Sequence, residues 1–319
     1  MIPKKALVLG ANGQDGSYLS ERLLGLGWEV VGVGKQAESK WVKPSAMFSY
    51  RSLDISDLDS FEVLLNSMHL DSIFHFAAIH GSAGFQYEAH WKDIYNVNVA
   101  SVNGALEYFR KNNAQGVLVY ASSSKVFFGQ SHESVISEES QRNSNCIYTI
   151  TKNAATDLVK YYRDRYGISA SVVWLFNHES VRRTEKYFIP QIVSSLEKSI
   201  ADPGYKTTIG SLNFYCDWGD AEEYMDIIAR VSTKNPGIDY IMASSNTWYA
   251  EDYVSALFTQ FNLDWKDHIV VRSSDKHSIP TKWAANNSKL ISINGVRPQR
   301  SIIDVSRDIL GAKDSVANS

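Results

Sequence analysis

Tyr148 and Lys152, four residues apart in Tyr148-Thr-Ile-Thr-Lys152, are side chains whose types and spacing suit acid/base chemistry. On a helix this spacing puts the phenol and the ammonium on one face, where the fixed positive charge favours the phenolate. A phenol with its usual pKa of ~10 is a poor acid or base at neutral pH. With a lysine beside it and a ribose hydroxyl to share, it can exchange a proton with an alcohol while a nicotinamide exchanges the hydride. That is dehydrogenase chemistry. Upstream, Ser122-Ser123-Ser124 closes a hydrophobic strand. Ser123 is placed to hydrogen-bond the substrate oxygen that Tyr148 protonates or deprotonates, with Ser124 as a neighbouring substrate contact. Tyr-x-x-x-Lys is a weak pattern alone; its weight here comes from following a glycine loop and a serine cluster, in that order.

The glycine loop is Gly10-Ala-Asn12-Gly13-Gln14-Asp15-Gly16, which follows the strand Ala6–Leu9 and opens a helix. In that context its glycines permit a tight turn and bring a pyrophosphate up to the amides at the helix N-terminus. Asn12, Gln14 and Asp15 are the polar candidates within it. Asp54-Ile55, after a later extended segment, is placed to touch an adenine, and Ala77-Ala78 leaves room for backbone to approach the cofactor. The second strand ends Val33-Gly34-Lys35-Gln36 with no acidic residue for the 2′-hydroxyl of NAD. Lys35, with Lys40 nearby, suits a 2′-phosphate instead, so the reading favours NADP and keeps NAD as the alternative.

These groups need a scaffold. Ala6–Leu9, Trp28–Val33, Ser72–Phe76, Gly116–Tyr120 and Ser171–Phe176 read as buried strands, and amphipathic stretches at Tyr18–Leu26, Phe61–Met68, Val97–Lys111 and Ala154–Tyr166 alternate with them. Strand–helix repetition predicts an α/β fold, a Rossmann-like doubly wound parallel sheet with right-handed crossovers, over residues 1–180. Its ligands bind at the carboxyl ends of the strands, where Gly10, Ala77, Ser123 and Asn177 fall. Beyond residue 180 the rhythm becomes helical, near Ile189–Lys198, Glu222–Val231 and Asp252–Phe261. Residues 181–310 are therefore expected mainly to form a smaller substrate-capping region, with segment 236–246 returning to the sheet and 311–319 a frayed tail.

Composition narrows the setting. With 319 residues, 44% hydrophobic, the chain can bury a full core. A net charge of −3 without like-charge runs gives no footprint for nucleic acid or an anionic membrane. Cys146 and Cys216 offer no metal-ligand spacing and no disulfide framework, so no metal is expected and a reducing compartment is. No apolar stretch approaches a membrane span, and the N-terminus runs directly into the first strand, which together lead to an expected cytoplasmic location.

The most discriminating string is Leu175-Phe-Asn177-His178-Glu179-Ser-Val181-Arg182-Arg183. With Gly13-Gln-Asp-Gly16-Ser-Tyr-Leu and Asp217-Trp-Gly-Asp-Ala-Glu-Glu-Tyr224, it resembles the GDP-mannose 4,6-dehydratases, whose hallmark segment has proline where Val181 stands. The order of glycine loop, serine, tyrosine and lysine is likewise that of the short-chain dehydrogenase/reductases. The resemblance implies an extended member of that superfamily binding a nucleotide-diphospho-sugar, GDP-linked by preference, as a homodimer or homotetramer. It places Leu175, Asn177, His178 and Arg183 at the cofactor, and Asn177, Glu179 and Arg182 at the substrate.

What the family implies chemically is oxidation of the hexose at C4, loss of water across C5 and C6, and return of the hydride to C6. A glutamate two residues after the catalytic Ser/Thr removes the C5 proton in that family; here Lys125 occupies its place, and a charged ammonium accepts no proton. His80 stands where the dehydratases carry a small polar residue, with a pKa suited to proton transfer near neutrality. Lys125 and His80 are thus further candidates at the catalytic site. Cys216 replaces an expected arginine, and Arg272 is the candidate to compensate. The leading reading is a dehydratase-like NAD(P)-dependent enzyme. The rivals are a 4-ketosugar reductase or C4 epimerase that omits the elimination, and a non-catalytic NADP(H)-binding sensor.

Overall fold

Short apolar runs with alternating side-chain directions bury both faces of a sheet, and the computed structural model shows where each face goes. It describes residues 3–81, 85–112, 115–128, 135–272 and 280–317. The first half runs β1 (Lys5–Leu9), α1 (Gln14–Gly25), β2 (Glu29–Gly34), β3 (Phe48–Ser52), α2 (Leu58–Asn66), β4 (Ser72–His75), α3 (Trp91–Tyr95) and α4 (Ser101–Asn112). It continues through β5 (Val117–Ser123), β6 (Val135–Ile136), α5 (Ile147–Tyr166), β7 (Ser169–Leu175) and β8 (Asn177–Glu179). Then come α6 (Phe188–Ala201), β9 (Thr207–Ile209), β10 (Tyr215–Asp220), α7 (Ala221–Lys234), β11 (Tyr240–Met242) and β12 (Thr247–Tyr249). The last elements are α8 (Ala250–Thr259), β13 (Ile269–Val271), β14 (Ala284–Ala285), α9 (Ser288–Asn294) and α10 (Ile302–Ala317).

Seven parallel strands form the main sheet in the order β11-β7-β5-β4-β1-β2-β3. The order reverses between β1 and β4, so the loops after these strands part and open a crevice at their carboxyl ends. Alternation along the strands sends Leu7, Leu9, Ile73, Leu118 and Trp174 to one layer, where Phe61, Leu106, Phe109 and Val159 of α2, α4 and α5 meet them. Ala6, Val8, Val30, Phe74 and Val173 face the other layer and pack with Leu19 and Leu23 of α1 and Tyr224 and Ile228 of α7.

Beyond residue 180 the chain serves two layers at once. Ile192, Leu196, Trp218, Tyr253, Phe258, Ile302 and Val305 build a third apolar cluster from α6, β10, α8 and α10. In contrast, α7, β11 and α9 return to the main sheet, β11 pairing in parallel with β7. The C-terminal helix runs through Ala317, and Asn318 and Ser319 lie outside the described residues. Among the described residues no helix is long and apolar enough to cross a membrane.

Two local differences from the sequence reading bear on the site. The α5 helix begins at Ile147, seven residues before the expected Ala154, so Tyr148 stands in its first turn. Thr149 makes that early start: its hydroxyl accepts the Cys146 N–H at 3.1 Å, and Gly167 closes the far end in a left-handed conformation. The edge strand β3 was legible only as an extended segment, because much of it faces solvent and carries no continuous apolar signal.

Candidate active site

The glycine loop leaves β1 through Gly10, whose φ of +89° and close backbone approach to Ala77 exclude a side chain. A Cβ on Gly16 would stand 2.3 Å from the Gly10 carbonyl oxygen, so the third glycine lets the helix start directly beneath the turn. Gly13 has nothing nearer than that carbonyl at 3.2 Å, and no side chain caps the helix behind it. The first-turn amides of α1 therefore face a cradle that a Cβ would fill, a geometry that fits the phosphates of a dinucleotide.

A cleft of about 610 Å³ extends from this loop past the ends of β4, β5 and β7 to the start of α6. Gly10, Gly13, Gln14, Asp15, Gly16, Ala78, His80, Ser123, Tyr148, Lys152, Leu175, Asn177, His178, Glu179 and Arg183 all line it. Chain-distant candidates thus share one cavity. Ser123 terminates β5, its hydroxyl accepts the Lys125 backbone N–H at 3.2 Å, and it lines the same cleft as the Tyr148 phenol. Lys152, one helical turn after Tyr148, donates from Nζ to the Ala121 carbonyl at 2.7 Å and lies 5.8 Å from the Tyr148 ring centre.

The electrostatics differ from the simple expectation of a lysine-activated phenol. Burial raises the Tyr148 pKa well above the usual phenol value, outweighing the Ser123 hydrogen bond and the Arg183 charge that lower it. Burial also lowers Lys152, to about 7, against a weaker pull from Asp15. At neutral pH Tyr148 therefore holds its proton, and the neighbouring ammonium sits close to its own titration point.

Asp15 and His178 join α1 to β8 across the cleft floor, His178 Nε2 to Asp15 Oδ1 at 2.8 Å. Burial works to raise Asp15, but the charge and hydrogen bond of His178, with Arg183 beyond, hold it at about 2. Glu179 is only 3% exposed, and burial pushes it up to about 7 despite Arg183 and His178. Its Oε2 and the Arg183 Nε lie 3.6 Å apart, each without a hydrogen-bond partner, while the Arg183 guanidinium lies 3.5 Å above the Tyr187 ring.

Several candidates fall elsewhere. Arg182 turns away from the cleft: it pairs with Glu21 at 2.7 Å, donates to Ser17 at 2.8 Å and stacks on Tyr18 at 3.8 Å, so it ties the loop after β8 to α1. Ser124 is buried in the turn after β5 and lies outside the cleft lining, and Ile55 belongs to the core. Asn12 is committed to the loop after β2, donating to Gln36, the Glu38 carbonyl and Tyr50, and accepting from the Lys40 N–H. Arg272 is exposed and outside the cleft lining, its backbone N–H donating to the Ile209 carbonyl. Lys35 and Asp54, at the ends of β2 and β3, pair with each other at 2.8 Å. Lys125 is exposed and outside the lining, although its Nζ lies 5.8 Å from the Tyr148 ring centre. Ala77 forms the backbone wall under Gly10.

Two residues escaped the sequence reading. Buried Asn98 accepts the Ile79 N–H at 2.9 Å, donates to the Ile79 carbonyl at 3.3 Å and reaches Thr151 of α5 at 3.2 Å. Tyr187 stacks with both Arg183 and His80. Neither has a motif around it, because each acts through contacts between distant segments.

Comparison with known proteins bears on this geometry. The sequence pattern of the family described as GDP-mannose 4,6 dehydratase matches residues 7–301. The chain belongs to that family. It is 28% identical over 283 residues to GDP-mannose 4,6 dehydratase 1 of Arabidopsis thaliana, covering 84% of this chain and 78% of that protein. In fold it is similar to the dTDP-glucose 4,6-dehydratase of Bacillus anthracis, solved in complex with NAD, with a TM-score of 0.81, 18% identity, and 99% and 98% of the two chains covered. RMD from Pseudomonas aeruginosa, solved with NADPH, superposes with a TM-score of 0.78 at 17% identity, covering 98% of this chain and 99% of that one. In this member of the GDP-mannose 4,6 dehydratase family Ser123, Tyr148 and Lys152 line one cleft, and Lys125 and His80 both approach the Tyr148 ring.

Proposed function

We propose that this chain is a nicotinamide-dependent enzyme that oxidises a GDP-linked hexose at C4, in the manner of a 4,6-dehydratase. The observation that carries the reading is the convergence of Ser123, Tyr148 and Lys152 on the cleft that begins at the α1 amides. Gly10, Gly13, Gly16, Asp15 and Lys152 would hold the dinucleotide, and a bound nicotinamide supplies the hydride acceptor. Ser123 fixes the C4 oxygen, and Tyr148 takes its hydroxyl proton as the C4 hydrogen leaves with its electron pair. Ligand phosphates beside Lys152 would keep it charged, and that charge in turn draws Tyr148 toward the phenolate. NADP is the favoured cofactor by the absence of an acid at the end of β2; the Lys35–Asp54 pair keeps NAD in contention. A cytoplasmic dimer or tetramer belongs to the same proposal.

The second reading, a 4-ketosugar reductase or C4 epimerase, is favoured by Lys125, which cannot replace the elimination base and stands outside the cleft lining. Incubation of purified protein with GDP-mannose and either cofactor tests the first reading. The expected result is a product with 4-keto absorbance in alkali and transient reduced nicotinamide; conversion of no GDP-hexose with either cofactor would falsify it.

A further inference from the structure

His80 and Lys125, distant in sequence, both approach the ring of Tyr148. The His80 ring lies 4.9 Å from the Tyr148 ring, centre to centre, at an interplanar angle of 65°, and runs nearly parallel to Tyr187 at 6.2 Å. It opens onto the same cleft as Ser123 and Tyr148. The segment that carries it is fastened: Asn98 holds both backbone groups of Ile79 and, through Thr151, links them to the helix bearing Tyr148 and Lys152. His80 therefore keeps a set position relative to the oxygen that Ser123 and Tyr148 would grip.

The charges around it act in one direction. Loss of hydration and the nearby Arg183, Lys125 and Lys152 all hold the imidazole below its ordinary pKa, so it is neutral at pH 7 and has a lone pair to accept a proton. A glutamate at position 125 would oppose that effect; the ammonium of Lys125 reinforces it.

We propose that His80 removes the C5 proton of a bound 4-ketosugar, the task that a glutamate at position 125 would perform. The proposal rests on the C4-oxidation reading above. In this step the C5–H bond breaks, its electron pair becomes the C4–C5 double bond, and the carbonyl π pair moves onto the C4 oxygen held by Ser123 and Tyr148. The proton goes to an imidazole nitrogen. No oxidant or further reactant is required, and return of a proton from the imidazolium restores the ketone, so the step is visible as exchange with solvent.

The test uses preformed GDP-4-keto-6-deoxymannose with the cofactor-loaded protein in D2O, reading the C5 proton by NMR. Wild type is expected to exchange it well above the rate without enzyme. His80→Gln should slow exchange by about 100-fold or more, with cofactor affinity unchanged, and added imidazole should restore part of the rate to His80→Ala. Exchange by His80→Gln at the wild-type rate, or no enzyme-dependent exchange by wild type, overturns the assignment. Reduction of bound cofactor by GDP-mannose is measured separately on both proteins. If wild type reduces the cofactor yet does not exchange the ketosugar proton, the His80 assignment falls and the C4 reading stands. If His80→Gln loses cofactor reduction and exchange together, His80 is not the base of a separate step and the assignment falls.

Discussion

Lys152 is a nearly buried ammonium in the cleft that also holds the glycine loop, so a bound anionic ligand can change its charge. Burial sets its pKa to about 7 in the cofactor-free protein, so around pH 8 most molecules carry it neutral. Phosphates bound nearby favour the charged form, and binding must then take up a proton. Calorimetric titration of the dinucleotide in buffers of different ionisation enthalpy should show uptake approaching one proton near pH 8, fading below about pH 6, where the lysine is already charged. Lys152→Met should remove that uptake and weaken binding. The same shift has a stability sign. A lysine with a depressed folded pKa penalises the native state fully below about pH 7, and the penalty disappears as pH rises toward the ordinary lysine value. Legibility at this scale followed locality. Tyr148 and Lys152 were readable because one helical turn joins them, whereas Asn98 and Tyr187 act on His80 from other segments, and Arg182 and Arg183, adjacent in sequence, face different surroundings.

The strand–turn–helix at the N-terminus is the element that sequence described best, because steric exclusion leaves few alternatives to glycine there. Its three glycines nevertheless serve different ends, and substitution separates them. Gly16→Ala puts a methyl 2.3 Å from the Gly10 carbonyl oxygen, backbone against side chain with no flexible group to yield. We expect a lower unfolding midpoint, equivalent to about 1–3 kcal/mol, together with at least tenfold weaker cofactor binding. A methyl on Gly13 meets only the Gly10 carbonyl oxygen, at 3.2 Å, which a shift of a few tenths of an ångström relieves, so Gly13→Ala should cost less stability than Gly16→Ala while still weakening the cofactor. Equal stability loss in the two variants would contradict this division. The start of α5 was harder to read, since Thr149 stabilises it through a side-chain bond to the Cys146 backbone in a stretch without apolar periodicity. The edge strand β3 lacked a signal for a related reason: only one of its faces is covered.

Across the whole molecule, the sheet and the later chain are joined by polar bonds as well as by apolar layers. Asp15–His178, Gln14–Ser180 and Arg182–Glu21 all connect α1 with the segment beginning at β8. The first of these should be visible as pH-dependent stability in the cofactor-free protein. Asp15, depressed to about 2, contributes above about pH 4 and loses its contribution as pH falls toward that value; His178, raised, contributes below about 6.5 and loses its contribution as pH rises through its folded pKa. Asp15→Asn should therefore cost most between about pH 4.5 and 6.5, on the order of 2–3 kcal/mol in denaturant unfolding, and progressively less above that window. A pH-independent cost would remove the ion pair from the explanation. The parallel order of the sheet could be anticipated from strand–helix alternation, but the return of α7 and α9 to it could not, because amphipathicity does not say which apolar layer a helix will join. At the far edge of that sheet, Lys35 is already engaged by Asp54. A 2′-phosphate arriving there would have to displace a resident anion, and a 2′-hydroxyl would find an acceptor in the same place. On the proposed reading, discrimination between the two dinucleotides would be an exchange of partners, worth the difference between two contacts rather than the whole of one.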